Sequence, residues 1–185
     1  MYSNKIERGS FMKNLLKIAV LLLIVALAVV LLTGCGAKKE ELTFDGEEGK
    51  ITFKVKANSG YKISTEKEDL RTSRVQGALV GSDFKIGIEF CDDYNYFFES
   101  NLDKLKEARK DYDEYKVVTY NGVEGVQYFS GGYNSYEIIL PVANNEKYYL
   151  ELTVTGTEDK EESAKAAISN QDLLDILNSI TFEAK

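Results

Sequence analysis

The chain has 185 residues, an apolar fraction of 44%, a charged fraction of 29% and a formal net charge of −7, figures that suit one modest domain folded around a core. It contains no histidine, which excludes His-based acid–base chemistry, His metal sites and Ser-His-Asp or Cys-His nucleophile systems. The acidic balance opposes nucleic acid as a partner, because binding to phosphate backbones rests on Lys and Arg displacing counterions, and it disfavours anionic lipid headgroups in the same way.

Lys13 and Lys17 precede an uninterrupted apolar run, Ile18 to Leu32, which ends in Thr33-Gly34-Cys35-Gly36. A basic start, an apolar stretch of about 7–15 residues and small residues at its end mark a secretory signal. A spanning helix needs about 20 apolar residues, so the run is short for one. Leu32-Thr33-Gly34-Cys35 resembles the lipobox at which bacterial lipoproteins are diacylated and cleaved. The resemblance implies that residues 1–34 are a signal helix that is removed, and that Cys35 becomes the N-terminus with a diacylglycerol on its sulfur. The lipid bilayer is then a partner, on the outer face of the cell membrane. Each buried CH₂ of an acyl chain contributes about 0.8 kcal/mol, and two chains anchor stably. The removed segment carries Lys5, Arg8, Lys13 and Lys17 against Glu7, so losing this local +3 takes the remaining chain to −10. Met12-Lys13-Asn14 fits the usual opening of a signal peptide better than residues 1–11, and Met12 is expected to be the true start.

Residues 35–49 are small, polar and charged, and read as a lipidated cysteine followed by a flexible tether; Leu42 and Phe44 are expected to touch the domain that follows, 50–185. Ile51, Phe53, Val55 and Ala57 alternate with polar partners, the pattern of a half-buried strand. Asn58-Ser59-Gly60 turns the chain into a second strand over 61–64. The stretch 65–83 is polar and irregular, with a short strand at Leu79-Val80. Phe84, Ile86, Ile88 and Phe90 alternate again. Phe98, Leu102, Leu105, Ala108 and Tyr112 then recur at helical spacing, with Asn95 or Ser100 as the start. Strands follow over 116–120, 123–130, 136–142 and 148–155, joined by Asn121-Gly122, Gly131-Gly132 and Asn144-Asn145, which predicts an antiparallel meander. Pro141, the single proline, favours an edge or a bulge late in its strand. Helices over 158–169 and 171–178, with Asn170 as break or cap, lead to a short last strand at 181–183.

This order of elements resembles the PsbP/Mog-like fold, and particularly the small Gram-positive lipoproteins that carry such a domain. The likeness rests on the strand and turn from Phe53 to Tyr61, the alternating strand before the helix with Leu102 and Leu105, the Tyr-Asn-Gly-Val-Glu-Gly hairpin at 120–125, the long two-strand ribbon and the closing Ile176-Leu177-Asn178-Ser179-Ile180-Thr181-Phe182. It covers roughly residues 50 to 183. The resemblance implies an α+β domain, an antiparallel sheet flanked by helices in an α/β/α sandwich, and an accessory binder rather than an enzyme. It brings no shared catalytic set, no metal and no cofactor.

Among the residues themselves, Tyr128, Tyr133 and Tyr136 sit near Gly131-Gly132 and Asn134. Aromatic area beside small polar residues suits a ligand surface, while core and sheet-face packing is the competing reading. Cys91, which has no partner once Cys35 is lipidated, is an exposed thiol or a small filler beneath the helix; no Lys, Arg or His adjoins it to lower its pKa. Asp92-Asp93-x-Asn95 and Asp111-x-Asp113-Glu114 gather oxygen ligands but lack the spacing of a calcium loop, and read as solvated junctions. Arg71 and Arg74 are loop charges or an anion clamp. The leading expectation is a non-enzymatic accessory module that binds an envelope protein or a small ligand. Two others stand beside it: a hydrolase or transferase working through carboxylates such as Glu89, Asp92 or Glu124, and a structural envelope component without a defined ligand.

Overall fold

A computed structural model describes residues 38–92, 102–142 and 148–185, with Asp92 described in its backbone only. The signal segment, including Leu32, Thr33, Gly34 and Cys35, lies outside the described residues, as do Asp93 and Asn95. Within the described part the fold is α+β with antiparallel sheets. A three-stranded sheet has the order β1-β2-β10, from Lys39–Asp45, Gly49–Lys56 and Thr181–Ala184. A seven-stranded sheet has the order β3-β4-β5-β9-β8-β7-β6, from Lys62–Ser64, Gly77–Val80, Phe84–Asp92, Tyr148–Gly156, Ser135–Pro141, Val123–Ser130 and Lys116–Tyr120. The helices are α1 (Leu102–Arg109), α2 (Glu161–Ile168) and α3 (Gln171–Leu177).

Most of the stretch expected as a tether, 36–49, is folded. Lys39–Asp45 is a strand in full register with β2, Lys39 opposite Lys56 and Asp45 opposite Lys50. The run Lys-Glu-Glu-Leu-Thr-Phe-Asp looks like a charged linker, but its alternation sends Phe44 into the core while Glu41, Thr43 and Asp45 stay exposed. A strand that must bury only one face needs apolar residues at every second position, and charge at the others costs it nothing.

The core lies between the inner face of the large sheet and a cover made from the small sheet, α2 and α3. Phe84, Ile86, Ile88 and Phe90 of β5, Leu150, Leu152 and Val154 of β9, and Tyr136, Ile138 and Leu140 of β8 form its floor. Phe44, Ile51, Phe53 and Val55 close it from the small sheet, and Ala164, Ala167, Leu173, Ile176 and Leu177 from the helices. Asn170 caps α3, its side chain accepting from Asp172 N at 2.8 Å, which satisfies one of the free amides of the first turn.

The meander is present, β6 to β9 being consecutive neighbours. Asn121 and Gly122 both have positive φ, 47° and 80°, the backbone that a two-residue hairpin turn demands. Pro141 pairs with Tyr149 of β9, but the register of β7 on β8 runs only from Ser135 to Ile139. Pro141 therefore faces no ladder on its other side, where a missing N–H does no harm. The first helix ends at Arg109, short of the expected Tyr112, which follows in a turn. It packs on the outer face of the large sheet, with Leu105 (1% exposed) seated among Val126, Tyr128, Ile139 and Tyr149. Among the described residues no helix is long and apolar enough to cross a membrane.

Candidate binding cleft

Alternation along four central strands decides what the outer face of the large sheet carries. Besides Val126, Ile139 and Tyr149 under α1, the residues in antiphase to the core include Lys85, Gly87, Glu89 and Cys91 on β5, Glu151, Thr153 and Thr155 on β9, Ser135 and Glu137 on β8, and Tyr128 and Ser130 on β7. The register then joins them. Glu89 stands directly opposite Glu151, Glu137 opposite Thr153, and Tyr128 opposite Glu137. α1 covers one end of this face, and the loop between β3 and β4 brings Arg71, Thr72 and Arg74 against another part. Between them is a cleft of about 650 Å³ whose lining includes three carboxylates (Glu89, Glu137, Glu151), three guanidiniums (Arg71, Arg74, Arg109) and three tyrosines (Tyr112, Tyr128, Tyr133). Its size falls in the range of about 300–1,000 Å³ that small-ligand pockets occupy.

The floor is acidic and largely buried. Burial raises the pKa of Glu89, and the Arg74 guanidinium opposes that shift from 3.9 Å. Burial also raises Glu151, the facing Glu89 adding to it. Glu137, 7% exposed, is raised by burial and then by Glu151, although both its oxygens accept hydrogen bonds at 2.8 Å, from Ser135 Oγ and Thr153 Oγ1. Like charges directly opposite on neighbouring strands destabilise a sheet, and burial in a low-dielectric site disfavours each charged form. Three carboxylates in this position thus work against folding.

Cys91 joins them. Its Sγ is 3.6 Å from Glu151 Oε2, and a ligand atom from each of Glu89, Cys91 and Glu151 lies within 4.8 Å of the others. The thiol is buried, 7% exposed, and pushed well above the usual thiol range, by burial first and by the two carboxylates after it. It is buried, so it is not the exposed thiol of one reading; the other, a small buried filler, agrees with its burial. Its Sγ lies in the cleft lining and points at Glu151.

Two of the wall arginines lie over tyrosine rings. Arg109 lies 4.9 Å from the ring centre of Tyr112 and 5.4 Å from that of Tyr128, and donates from Nη1 to Tyr112 Oη at 2.8 Å. The two rings are 4.6 Å apart. Arg71 stands 5.9 Å from the Tyr133 ring centre, and its Nη2 donates to Asp159 Oδ1 at 3.0 Å. Such cation–ring contacts restrict a guanidinium that would otherwise lose entropy on binding. Arg74 is looser, its side chain 58% exposed.

Compared with family models, curated proteins and solved structures, the chain matches none. The site therefore has to be read from its own residues. Of the tyrosines singled out by sequence, Tyr128 and Tyr133 line this cleft. Tyr136 does not: it pairs with Phe129 and Val154 on the core face, packs on Phe129 at 5.2 Å and donates to Glu114. One residue's difference in strand phase sends it to the opposite side of the sheet. Arg71, Arg74, Glu89 and Cys91 are brought together here. Glu124 is not; it is exposed and ion-paired with Lys106. Asp111 and Asp113 are exposed, and Glu114 is taken by Tyr136 and Lys165. Glu137, Glu151, Arg109 and Tyr112 were not foreseen. The polar phase of β8 and β9 marks the two glutamates as outward-facing, but nothing local says that β5 lies beside β9.

Proposed function

We propose that this protein is an extracytoplasmic lipoprotein, held to the outer face of the cell membrane through a diacylglyceryl Cys35, whose PsbP/Mog-like α/β/α domain is a non-enzymatic module that binds a ligand in the cleft. The observation that carries the binding half is the cleft floor. A sheet face that needed only to meet water would not place Glu89 against Glu151 beneath tyrosines and arginines, because that arrangement weakens the fold. Polar groups whose placement costs stability belong to sites more often than to scaffolds. The membrane half rests on the apolar run and on Leu32-Thr33-Gly34-Cys35. In this reading strand β1 begins four residues after the lipidated cysteine.

Two measurements test this. Cys35→Ala is expected to move the protein from the detergent phase to the aqueous phase in a partition experiment; retention at wild-type levels would replace the lipid anchor with an uncleaved helix. The purified protein, offered a broad substrate panel, is expected to leave every substrate unchanged.

The Glu89–Glu151 pair favours a second reading, a carboxylate-dependent hydrolase or transferase. Two nearby carboxyl groups with raised pKa values are the equipment of such enzymes. The pair would then be Glu89 and Glu151, with Glu124 playing no part. Turnover abolished by both Glu89→Gln and Glu151→Gln would establish it.

A further inference from the structure

We propose that strand β1 is a self-association edge: a second copy of this chain adds its own β1 antiparallel, Leu42 opposite Leu42, so that two small sheets join into one.

Four strands end the two sheets, β1 and β10 in the small one, β3 and β6 in the large one. β10 has four residues, β3 three and β6 five. β1 has seven, and it holds register with β2 at every one of them, without a bulge, glycine or proline. Its other rim carries no strand among the described residues. Such a row of unpaired N–H and C=O groups is a template for another strand, and short edges, bulges and prolines are the usual defences against it. β1 has none of these three. It has charge.

Charge on an edge ordinarily wards off pairing. On β1 it wards off every register but one. Leu42 and Phe44 lie toward the core, while Lys39, Glu41, Thr43 and Asp45 share the exposed face. A joined sheet keeps its two faces only when residues of the same phase stand opposite each other, so two β1 strands must be centred on a residue. Centring on Lys39, Glu40, Glu41 or Asp45 sets that charge against its own copy. Centring on Thr43 sets Glu41 against Asp45 twice, and centring on Phe44 overlaps only Thr43, Phe44 and Asp45. Like charges directly opposite destabilise a strand pair. Centring on Leu42 overlaps all seven residues. It puts Lys39 opposite Asp45 at both ends, Glu41 opposite Thr43 and Glu40 opposite Phe44, with no like pair directly opposite. The half-buried Leu42 meets its own copy at the axis.

The groups that meet can take these partners. Lys39 makes no ion pair among the described residues. Asp45 receives Lys185 on Oδ1, and a carboxylate has acceptor sites for a second ammonium. Glu41 approaches the other copy's acidic groups only diagonally, and Lys54 lies 3.6 Å from it. Exposed ion pairs of this kind contribute little affinity; their weight is in excluding the wrong registers.

Two short edge strands make a small, transient interface, so covalent trapping is the readout. The full chain carries Cys35→Ala, which leaves the buried Cys91 as its one native thiol and frees the test from the manner of anchoring. Leu42→Cys is expected to form a disulfide dimer under mild oxidation, because directly opposite residues have Cα atoms about 4.5–5.5 Å apart. Thr43→Cys alone is expected to be trapped at least about tenfold more slowly, its two copies standing diagonally at about 7–8 Å. Thr43→Cys mixed with Glu41→Cys is expected to crosslink; both positions are exposed, so this pair reports even if Leu42→Cys fails to fold. In the Leu42→Cys chain, Lys39→Asp should slow trapping about tenfold by setting a carboxylate against Asp45 at both ends, and adding Asp45→Lys should restore it. Equal trapping of Thr43→Cys and Leu42→Cys overturns the proposal. So does no trapping in chains that melt like the wild type, or a double exchange no faster than Lys39→Asp.

Discussion

The two faces of the seven-stranded sheet are made by the same strands and obey opposite rules. On the inner face of its two central strands burial accounts for the residues: Phe84, Ile86, Ile88, Leu150, Leu152 and Val154 are all fully buried and belong to the core that the small sheet and helices close. On the outer face the same strands and β8 present Glu89, Glu151 and Glu137, whose placement burial penalises. An element whose residues lower the folding free energy explains itself. An element whose residues raise it needs another explanation, and the cleft over those glutamates is the place to look for one. The contrast separates what folds this domain from what it was folded to present.

The largest effect should come from breaking the inner face. Leu152 is central, paired with Ile88 and Ile138 and fully buried. Leu152→Ala is expected to cost about 2–5 kcal/mol in chemical denaturation, through lost transfer energy and the cavity left behind. The next largest should come from the outer face with the opposite sign. Glu151→Gln removes one of two facing carboxylates and keeps the shape and an acceptor for Cys91. It is expected to raise stability at pH 7–8 by about 0.5–1 kcal/mol. If it destabilises as the leucine variant does, the glutamate is scaffold and the contrast collapses.

The acidity of these groups sharpens the same comparison. A carboxyl whose pKa is raised on folding binds more protons in the folded state, so its contribution is fully present below the unfolded value and declines as pH rises through the folded one. Glu89, Glu137 and Glu151 all shift upward from 4.5. The stability gained by Glu151→Gln should therefore shrink as pH falls toward 4.5 and vanish below it. Glu114 and Asp69, shifted downward by hydrogen bonds from Tyr136 and from Lys85 respectively, lose stability as pH falls, but do so in both proteins and cancel in the difference. Denaturation curves of the pair from pH 4 to 8 would check this.

Much of the inner face was legible in the sequence and little of the outer site was. Period-two alternation at Phe84–Phe90 and the turn at Asn121-Gly122 declare strands and a hairpin from local chemistry alone, and the meander from 116 to 155 follows because its neighbours in sequence are neighbours in space. Strand β1 was hidden by its charges, which occupy the solvent side that a strand leaves open. The site depends on β5 lying beside β9, a pairing that joins Glu89 to Glu151 across most of the domain, and on a helix and a loop delivering Arg109 and Arg71 over the same surface. Such long-range placements are set by the closing of the whole sheet, and no local pattern encodes them. Tyr136 shows the limit most simply. It lies three residues from Tyr133, yet strand phase sends its ring into the core while Tyr133, in the β7–β8 turn, stays 55% exposed.

Cys91 offers a readout of the boundary between the two faces. Buried and pushed well above the ordinary thiol range, it should resist iodoacetamide in the folded protein at pH 8 and react at once in denaturant, since alkylation needs the thiolate. Measured in the Cys35→Ala background, where it is the single thiol, its labelling rate reports how often the cleft floor opens. Fast labelling under native conditions would mean that the floor is accessible in a way its packing denies.

The smallest effect is expected at Glu124, a carboxylate of the same chemistry in the opposite setting. It pairs with Lys106 in an ion contact that water reaches from both sides, where Coulomb attraction is screened and the entropy of two long side chains offsets what remains. Glu124→Gln should leave the melting temperature unchanged within error and alter neither ligand binding nor any turnover. The comparison with Glu151→Gln is then between two carboxylates on one sheet, one solvated and silent, the other desolvated beside its own kind. Should Glu124→Gln abolish an activity that Glu151→Gln leaves intact, the functional surface lies at the β6–β7 hairpin and the cleft is not the site.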